Sequence, residues 1–309
     1  MGTTFGEGRI DFSEATFGEG RIDFSEATFG EGRVYFIGAT FGEGDVDFTE
    51  ATFGKGGVYF RGTTFGEGDV DFSRAQFLGS ANFSGLNEAS AITSLYFRHC
   101  TFNHSLDLSG NRFICIPDLT NTKLTHQVSL DGLVCEFRLN EKGIPDPKDG
   151  ERLCRLKEIA EANKNHEQAL NFHIEEMRVK RPKLSGWLNK KIDKYFDAVS
   201  EYGRSIIKPL HWLIRSWYVF GLIYSCISIG LNPMKPWWEH FGNGFLYAAA
   251  QVVPFVAAGR ESSRESINAL FGKDTDTPNW LFTISLTQGL ISFLLIFLIG
   301  LALRNRFRI

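Results

Sequence analysis

Aromatic residues recur at a fixed spacing along the first quarter of the chain. Phenylalanine occurs at every twelfth position from Phe5 to Phe77, and a second series with the same step runs from Phe12 to Phe72. The repeated unit reads A-T-F-G-E-G-R/D-I/V-D/Y-F-S/T-E, with two glycines and a β-branched residue close to an aromatic one. These residues disfavour helix and favour extended chain with turns. A repeat of this kind predicts a solenoid.

The two phenylalanine series indicate the length of one coil. A single repeated unit is too short to enclose a column of side chains, whereas two consecutive units are long enough. We therefore expect Phe5, Phe29 and Phe53 to stack on one face and Phe17 and Phe41 on the opposite face, with coils about 4.8 Å apart. Each ring would bury about 150–250 Å², which offsets much of the entropy cost of ordering a glycine-rich coil.

Shorter motifs within the repeat carry a family resemblance. The runs A-T-F-G-E, G-R-I-D-F, S-E-A-T-F, G-S-A-N-F and R-H-C-T-F resemble the pentapeptide-repeat family over roughly residues 1–137, with degenerate coils after Asn87. The resemblance implies a right-handed quadrilateral β-helix in which the central aromatic and a small residue two positions earlier point inward. The spacing between successive phenylalanines alternates between seven and five residues, whereas a strict pentapeptide repeat keeps a spacing of five. We therefore expect the two extra residues, within G-E-G, to bulge at the corners of the coil.

Two different segments follow the repeats. Residues 138–182 begin with a proline- and glycine-rich linker and continue with two stretches that are apolar at helical spacing, which predicts an α-helical hairpin that caps the last coil. Residues 183–211 are basic with interleaved tryptophan and tyrosine. Just before an apolar span, this composition favours a juxtamembrane segment on anionic lipid over a nucleic-acid site.

Residues 212–309 have the composition of a two-helix transmembrane module. Trp212–Leu231 and Trp280–Leu303 are apolar, and the second stretch carries no charge and is long enough to cross about 30 Å of hydrocarbon. The predicted membrane-interface anchors are Trp212, Arg215, Trp280, Arg304, Arg306 and Arg308. Cations at the outer ends of the spans outnumber Lys235 and Lys273 at the ends of the intervening loop, which predicts a multi-pass membrane protein with both termini in the cytoplasm.

A third apolar piece, residues 241–259, lies between the spans. It is too short and too interrupted to cross a bilayer, so we expect a re-entrant helix followed by a loop. The pore-loop candidates are Pro254, Phe255, Val256 and Gly259. A pore-loop channel subunit has this layout, in which a first span is followed by a re-entrant helix, a loop and a second span. The filter sequence T-V-G-Y-G of potassium channels is absent.

The C-terminal part carries a resemblance of its own. The runs S-E-Y-G-R-S, Q-V-V-P-F-V and F-L-I-G-L-A-L-R-N-R-F-R-I resemble a bacterial class of pentapeptide-repeat membrane proteins. Some members of that class carry an evident ion-channel module and others only the P-F-V form. The resemblance implies a location in the bacterial cytoplasmic (inner) membrane and a non-enzymatic role.

Charge divides the 309 residues in the same way as the apolar pattern. Residues 1–80 hold 14 acidic and 6 basic residues, which leaves 22 acidic and 27 basic residues for the remainder. The repeated carboxylates predict acidic ladders on the outside of the solenoid, which we interpret as a solubilising face. The alternative, which the resemblance to pentapeptide-repeat proteins implies, is an acidic DNA mimic that binds a DNA-processing enzyme. A calcium-binding nonapeptide array does not fit, because the repeat is longer than nine.

Reactive side chains form no pattern that indicates catalysis. The five cysteines include no C-x-x-C pair, so neither a zinc site nor a redox dithiol is expected, and we interpret them as reduced. His166 and His173 lie near two glutamates, but their positions fit the surface of an amphipathic helix better than a metal site. No P-loop, nucleophile elbow or dinucleotide fingerprint occurs. We expect no enzymatic activity, catalytic residue, cofactor or metal.

Two functions fit this organisation equally well. The first is a homo-oligomeric, ion-channel-like pore with a cytoplasmic β-helix head. The second is a membrane-tethered scaffold that binds a protein partner on the β-helix face, with the two spans serving only as an anchor. Both functions require the lipid bilayer, the pore also requires copies of the same chain, and neither involves nucleic acid.

Overall fold

A computed structural model describes residues 2–137, 146–231, 233–234, 236–252, 266–268, 270 and 279–307. The chain forms two compact units, Met1–Ser185 and Gly186–Ile309. The first unit contains the repeats and a helical hairpin, and the second contains the apolar helices.

Short parallel strands build the first unit. The strands are β1 Ile10–Asp11, β2 Ile22–Asp23, β3 Thr28–Phe29, β4 Val34–Tyr35, β5 Val46–Asp47, β6 Thr52–Phe53, β7 Val58–Tyr59, β8 Asp69–Asp71, β9 Gln76–Phe77, β10 Ala81–Asn82, β11 Ser94–Tyr96, β12 Thr101–Phe102, β13 Leu106–Asp107, β14 Arg112–Phe113, β15 Lys123–Leu124, β16 Val128–Ser129 and β17 Val134–Cys135. They pair across neighbouring coils in the orders β1-β4-β7-β10-β13-β16, β2-β5-β8-β11, β3-β6-β9-β12-β15 and β14-β17. Bridges between Thr16, Thr40, Thr64 and Asn87 extend the fourth face.

The strand register confirms the predicted coil length. Ile10 pairs with Val34 and Ile22 with Val46, so that one coil takes up two repeated units. Later coils are less regular. Leu106 pairs with Val128, so the coil between them is two residues shorter than the coil from Ile10 to Val34. The result is a parallel β-solenoid of about five turns with four faces, as the sequence predicted.

Aromatic columns fill the interior of the solenoid. The predicted stacks are present, with ring centroids 4.8 Å apart for Phe5 and Phe29 and 4.6 Å apart for Phe17 and Phe41. The second phenylalanine series forms two further columns, so that all four faces contribute rings. The small residues of the repeat also point inward, since Ala39 is fully buried.

Glycine is required where neighbouring coils approach at the corners. The G-E-G segments lie at bends between strands. A Cβ atom added to Gly32 would lie 2.0 Å from the carbonyl oxygen of Gly8 in the preceding coil. No side chain fits at that distance, because the contact is with backbone. The corner glycines therefore allow neighbouring coils to approach to the distance at which their strands pair.

A helical hairpin covers the last coil, as predicted. Helices α1 Asp149–Ala162 and α2 His166–Lys180 are followed by a 3-10 turn at Arg181–Lys183. Arg155 donates to the carbonyl oxygen of Thr122 at 3.0 Å, and Asn163 and Gln168 donate to the carbonyls of Val128 and Leu133. These bonds satisfy carbonyl groups that the final coil would otherwise leave open.

An ion-pair cluster fastens the hairpin to the solenoid. The Arg152 guanidinium lies 3.2 Å from Asp118 of the solenoid and 2.8 Å from Asp149 of α1. Burial raises the pKa of the Asp149 carboxyl, and the hydrogen bond from Arg152 opposes that rise. Removing one partner of a buried pair leaves an uncompensated buried charge, so loss of Arg152 should weaken the docking of the hairpin.

The second unit is helical in the part that the structure describes. Its helices are α3 Trp187–Ser200, α4 Ile207–Leu231, α5 Trp237–Val252 and α6 Asn279–Arg306. Helix α4 and residues Trp280–Arg306 of α6 are long and apolar enough to cross a membrane. Tyr224, Tyr247 and Leu281 form the buried core where α4, α5 and α6 meet.

Candidate functional site

Helix α5 occupies the place where the sequence predicted a re-entrant helix. It covers Trp237–Val252, so it begins one turn before the predicted start. The described residues of this helix extend about 24 Å. The pore-loop candidates Pro254, Phe255, Val256 and Gly259 lie outside the described residues.

Close backbone packing holds α5 against α4. A Cβ atom added to Gly244 would lie 2.3 Å from the Ser225 hydroxyl oxygen and 2.9 Å from the Ser225 backbone nitrogen. The indole nitrogen of Trp217 donates to the carbonyl oxygen of Phe245 at 3.1 Å. Small residues at helix crossings allow this approach in apolar surroundings.

Buried polar side chains join all three helices. The Ser228 hydroxyl lies 2.8 Å from Nδ1 of His240, and the Tyr247 hydroxyl lies 2.8 Å from that of Ser285. Gln288 on α6 donates to the carbonyl oxygen of Ala248 on α5 at 2.8 Å. Sequence reasoning missed this network. A signal was available in Tyr224, Ser225 and Ser228, which interrupt an otherwise apolar span.

The outer faces of the long helices are apolar. Their exposed large side chains include Ile214, Tyr218, Val219, Phe282, Leu286, Leu290, Leu294 and Phe297. A water-soluble domain rarely exposes so large an apolar surface. The arrangement, with polar groups inside and apolar groups outside, is the one expected of helices surrounded by lipid.

Four of the six predicted interface anchors, Trp212, Trp280, Arg304 and Arg306, lie near helix ends. Trp212 is partly exposed near the start of α4 with the Arg215 guanidinium 5.4 Å from its ring, and Trp280 is exposed in the first turn of α6. Arg304 and Arg306 lie in the last turn of α6. Arg308 is outside the described residues.

A hydrogen bond brings the basic ends of the two long helices together. Asn305 near the end of α6 donates to the carbonyl oxygen of Gly203 just before α4, at 3.1 Å. The start of α4 and the end of α6 therefore share one end of the unit. Arg204 and Lys208 at this end pair with Glu201 at 3.0 and 2.6 Å.

Helix α3 has the features of the predicted juxtamembrane segment. Trp187 and Tyr195 are strongly exposed, and the Lys191 ammonium lies 4.8 Å from the centre of the Trp187 ring. Exposed aromatic rings beside lysines on a short helix are typical of segments that lie in a membrane interface.

Two opposite faces of the solenoid differ in chemistry. On one face the Tyr35 and Tyr59 rings stack outside the core at 5.2 Å, with the Arg9 guanidinium 4.6 Å from the Tyr35 ring. Half a coil away, Asp47 accepts the backbone N–H of Thr49 at 2.8 Å and an Arg21 hydrogen bond at 2.6 Å. The aspartates of this second face thus form turns as well as carrying charge.

The other candidate side chains, metal ligands and thiols, do not form a site among the residues that the structure describes. Among the described residues, no three His, Cys, Asp or Glu side chains are placed to hold a metal ion. Nδ1 of His173 lies 3.8 Å from Glu176, whose carboxylate also contacts Lys157 and Lys180. Burial acts to raise the Glu176 pKa, but the hydrogen bonds from Lys157 and Lys180 outweigh it and lower that pKa. Burial raises the pKa of the Cys100 thiol to about 12, which keeps it protonated and unreactive.

Comparison with known proteins identifies the first unit. The family model for pentapeptide repeats, in nine copies, matches residues 43–87. The N-terminal region of this chain is therefore a pentapeptide-repeat solenoid, and two candidate membrane helices follow it. No curated protein matches the chain. No solved structure matches it either.

Proposed function

We propose that this chain is a bacterial inner-membrane protein whose helical unit assembles with copies of itself into an ion-channel-like pore. The observation that carries the proposal is helix α5, whose described residues Trp237–Val252 pack against two helices that are long enough to cross a membrane. The solenoid is proposed to form a cytoplasmic head. No enzymatic role is proposed.

The proposal takes α5 as the start of the re-entrant segment that the sequence predicts, and backbone hydrogen bonding explains why such a segment favours a pore. A helix that ends at membrane depth exposes carbonyl groups at its C-terminus. Non-helical backbone at that depth is tolerated only where protein or water covers it. Identical chains around a cyclic axis would provide a shared water-filled space for the ends of their α5 helices. Pro254, Phe255, Val256 and Gly259 remain the candidates to line it.

Current through planar lipid bilayers tests the pore. The purified full chain should carry voltage-driven current, and Gly244→Ala should abolish most of it, because the added methyl group pushes α5 away from Ser225. Gly242→Ala is the matched control, since a Cβ atom at Gly242 meets nothing within 4 Å. Electrical silence of the wild type, together with a monomeric mass in mild detergent, would refute the pore.

Thiol labelling in intact cells tests the proposed topology. In a background in which serine replaces the native cysteines, Met234→Cys should react with an impermeant maleimide and Phe307→Cys should not. Met234 is 97% exposed between α4 and α5, and Phe307 is 67% exposed after α6, so both thiols are accessible once their side is reached. The opposite labelling pattern would reverse the orientation inferred from the basic helix ends.

A tethered interaction scaffold is the second candidate. The exposed face with Arg9, Tyr35 and Tyr59 supports it, because arginine and tyrosine are enriched among residues that dominate protein interfaces. On this account the helical unit only anchors the solenoid. The DNA-mimic alternative receives less support, because the aspartates of the opposite face are engaged in turns and in pairs with Arg21 and Arg98.

A further inference from the structure

A groove of about 410 Å³ runs along the helical unit between α3, α4 and α6. Its walls include Trp212, Arg215, Val219 and Phe220 from α4, with Ile291 and Leu295 from α6. The side chains along its length are apolar except near one end. The groove lies entirely among described residues and contains none of the pore-loop candidates.

The groove changes chemistry along its length. Trp212 and Arg215 lie towards the basic end that α4 shares with the end of α6. Val219 and Phe220 lie one to two turns deeper, so the stretch from Trp212 to Phe220 extends about 12 Å. One leaflet of a bilayer has a hydrocarbon depth of about 15 Å. A cationic end at the interface and an apolar floor reaching into one leaflet match the shape and polarity of a phospholipid.

Arg215 is available to bind a headgroup. Its guanidinium is exposed and lies over the Trp212 ring, and the described part of the chain offers it no ion-pair partner. The nearest cations along the chain differ, because Arg204 and Lys208 are already paired with Glu201. A planar guanidinium can donate two parallel hydrogen bonds to one phosphate group.

We propose that this groove binds one anionic phospholipid, with its phosphate on Arg215 and an acyl chain along Val219, Phe220 and Ile291. A free phosphate ion would use Arg215 but leave the apolar floor uncovered. The inference requires α4 and α6 to lie in a membrane, and it does not depend on the pore. A planar bilayer experiment that detects no current would therefore not refute the lipid-binding proposal.

Native mass spectrometry of the full chain with two lipids tests the headgroup contact. Phosphatidylglycerol and phosphatidylcholine with the same acyl chains are added at equal concentration, and the wild type should retain phosphatidylglycerol preferentially. Arg215→Gln should reduce that preference about fivefold, the effect of one cation at a membrane surface. Arg215→Lys should keep part of it. Lys190→Gln removes an exposed cation that does not line the groove and should leave the preference unchanged.

A second pair of variants tests the acyl-chain contact. Val219→Trp fills the groove and should abolish retention of both lipids, whereas Leu290→Trp enlarges an exposed apolar side chain outside the groove and should not. Excess inorganic phosphate should fail to displace the lipid. The proposal would be overturned if Arg215→Gln left the lipid preference unchanged, or if Lys190→Gln reduced that preference as much as Arg215→Gln does. It would also be overturned if Val219→Trp still retained the lipids, or if inorganic phosphate displaced the bound lipid. A smaller particle mass in Val219→Trp would overturn it too, and would assign the groove to a contact between subunits.

Discussion

Replacement of Phe41 by alanine is expected to destabilise the solenoid by about 3–5 kcal/mol. The Phe41 ring is buried and stacks between Phe17 at 4.6 Å and Phe65 at 5.1 Å. Its removal leaves a cavity that the rigid coils above and below cannot close. Hydrogen exchange of the full chain, read by mass spectrometry for the amides of β4, measures the loss as a fall in the free energy of local opening.

Phe17 provides the control for this substitution. It belongs to the same column but lies in the first coil, where it is only partly buried and stacks on one side alone. Phe17→Ala should therefore cost less than half as much as Phe41→Ala. Equal losses at the two positions would show that the stacked interior does not determine the stability of the solenoid.

Substitution of Gly32 by alanine is expected to cost about 3 kcal/mol, at the upper end for an overpacked site. The new Cβ atom would lie 2.0 Å from the Gly8 carbonyl oxygen and 2.4 Å from its carbon, so the two coils must separate. Loss of the strand pairing between Ile10 and Val34 should follow. The same exchange measurement should show faster exchange in β1 and β4.

Gly8 occupies the equivalent corner one coil earlier and provides the control. A Cβ atom there meets nothing within 4 Å, so Gly8→Ala should change the free energy of opening by less than about 0.5 kcal/mol. A large loss from Gly8→Ala would mean that backbone flexibility, and not the approach of the next coil, selects glycine at this corner.

The solenoid was predictable because its repeat carries the structural information. A short repeated unit with two aromatic positions leaves few ways to enclose the rings, and a register of two units per coil followed from it. The exceptions to the repeat were harder to interpret. Thr63 and Asn111 occupy positions where the repeat has a small inward residue, and both are buried. Thr63 donates a hydrogen bond to the carbonyl oxygen of Phe36 at 2.6 Å, and Asn111 donates one to the carbonyl oxygen of Phe83 at 2.8 Å. Only three-dimensional placement shows which carbonyl such a side chain reaches.

The helical unit was predictable in outline and not in its contacts. Hydropathy identifies α4 and α6 because length and apolar composition suffice for a span. The partners of individual polar residues depend on helix rotation, which a uniformly apolar pattern leaves undetermined. The contacts between Ser228 and His240 and between Tyr247 and Ser285 could therefore not be assigned from the sequence. Arg215 was recognised as an anchor, but its position at the end of a groove required the structure.

Single-particle electron microscopy of the full chain, extracted in mild detergent, tests the pore most directly. A pore predicts a closed ring of identical chains, with the α5 helices directed towards a common cyclic axis and a water-accessible path along it. Particles that contain one chain, or rings in which α5 faces the surrounding detergent, would rule out the pore and favour the tethered scaffold.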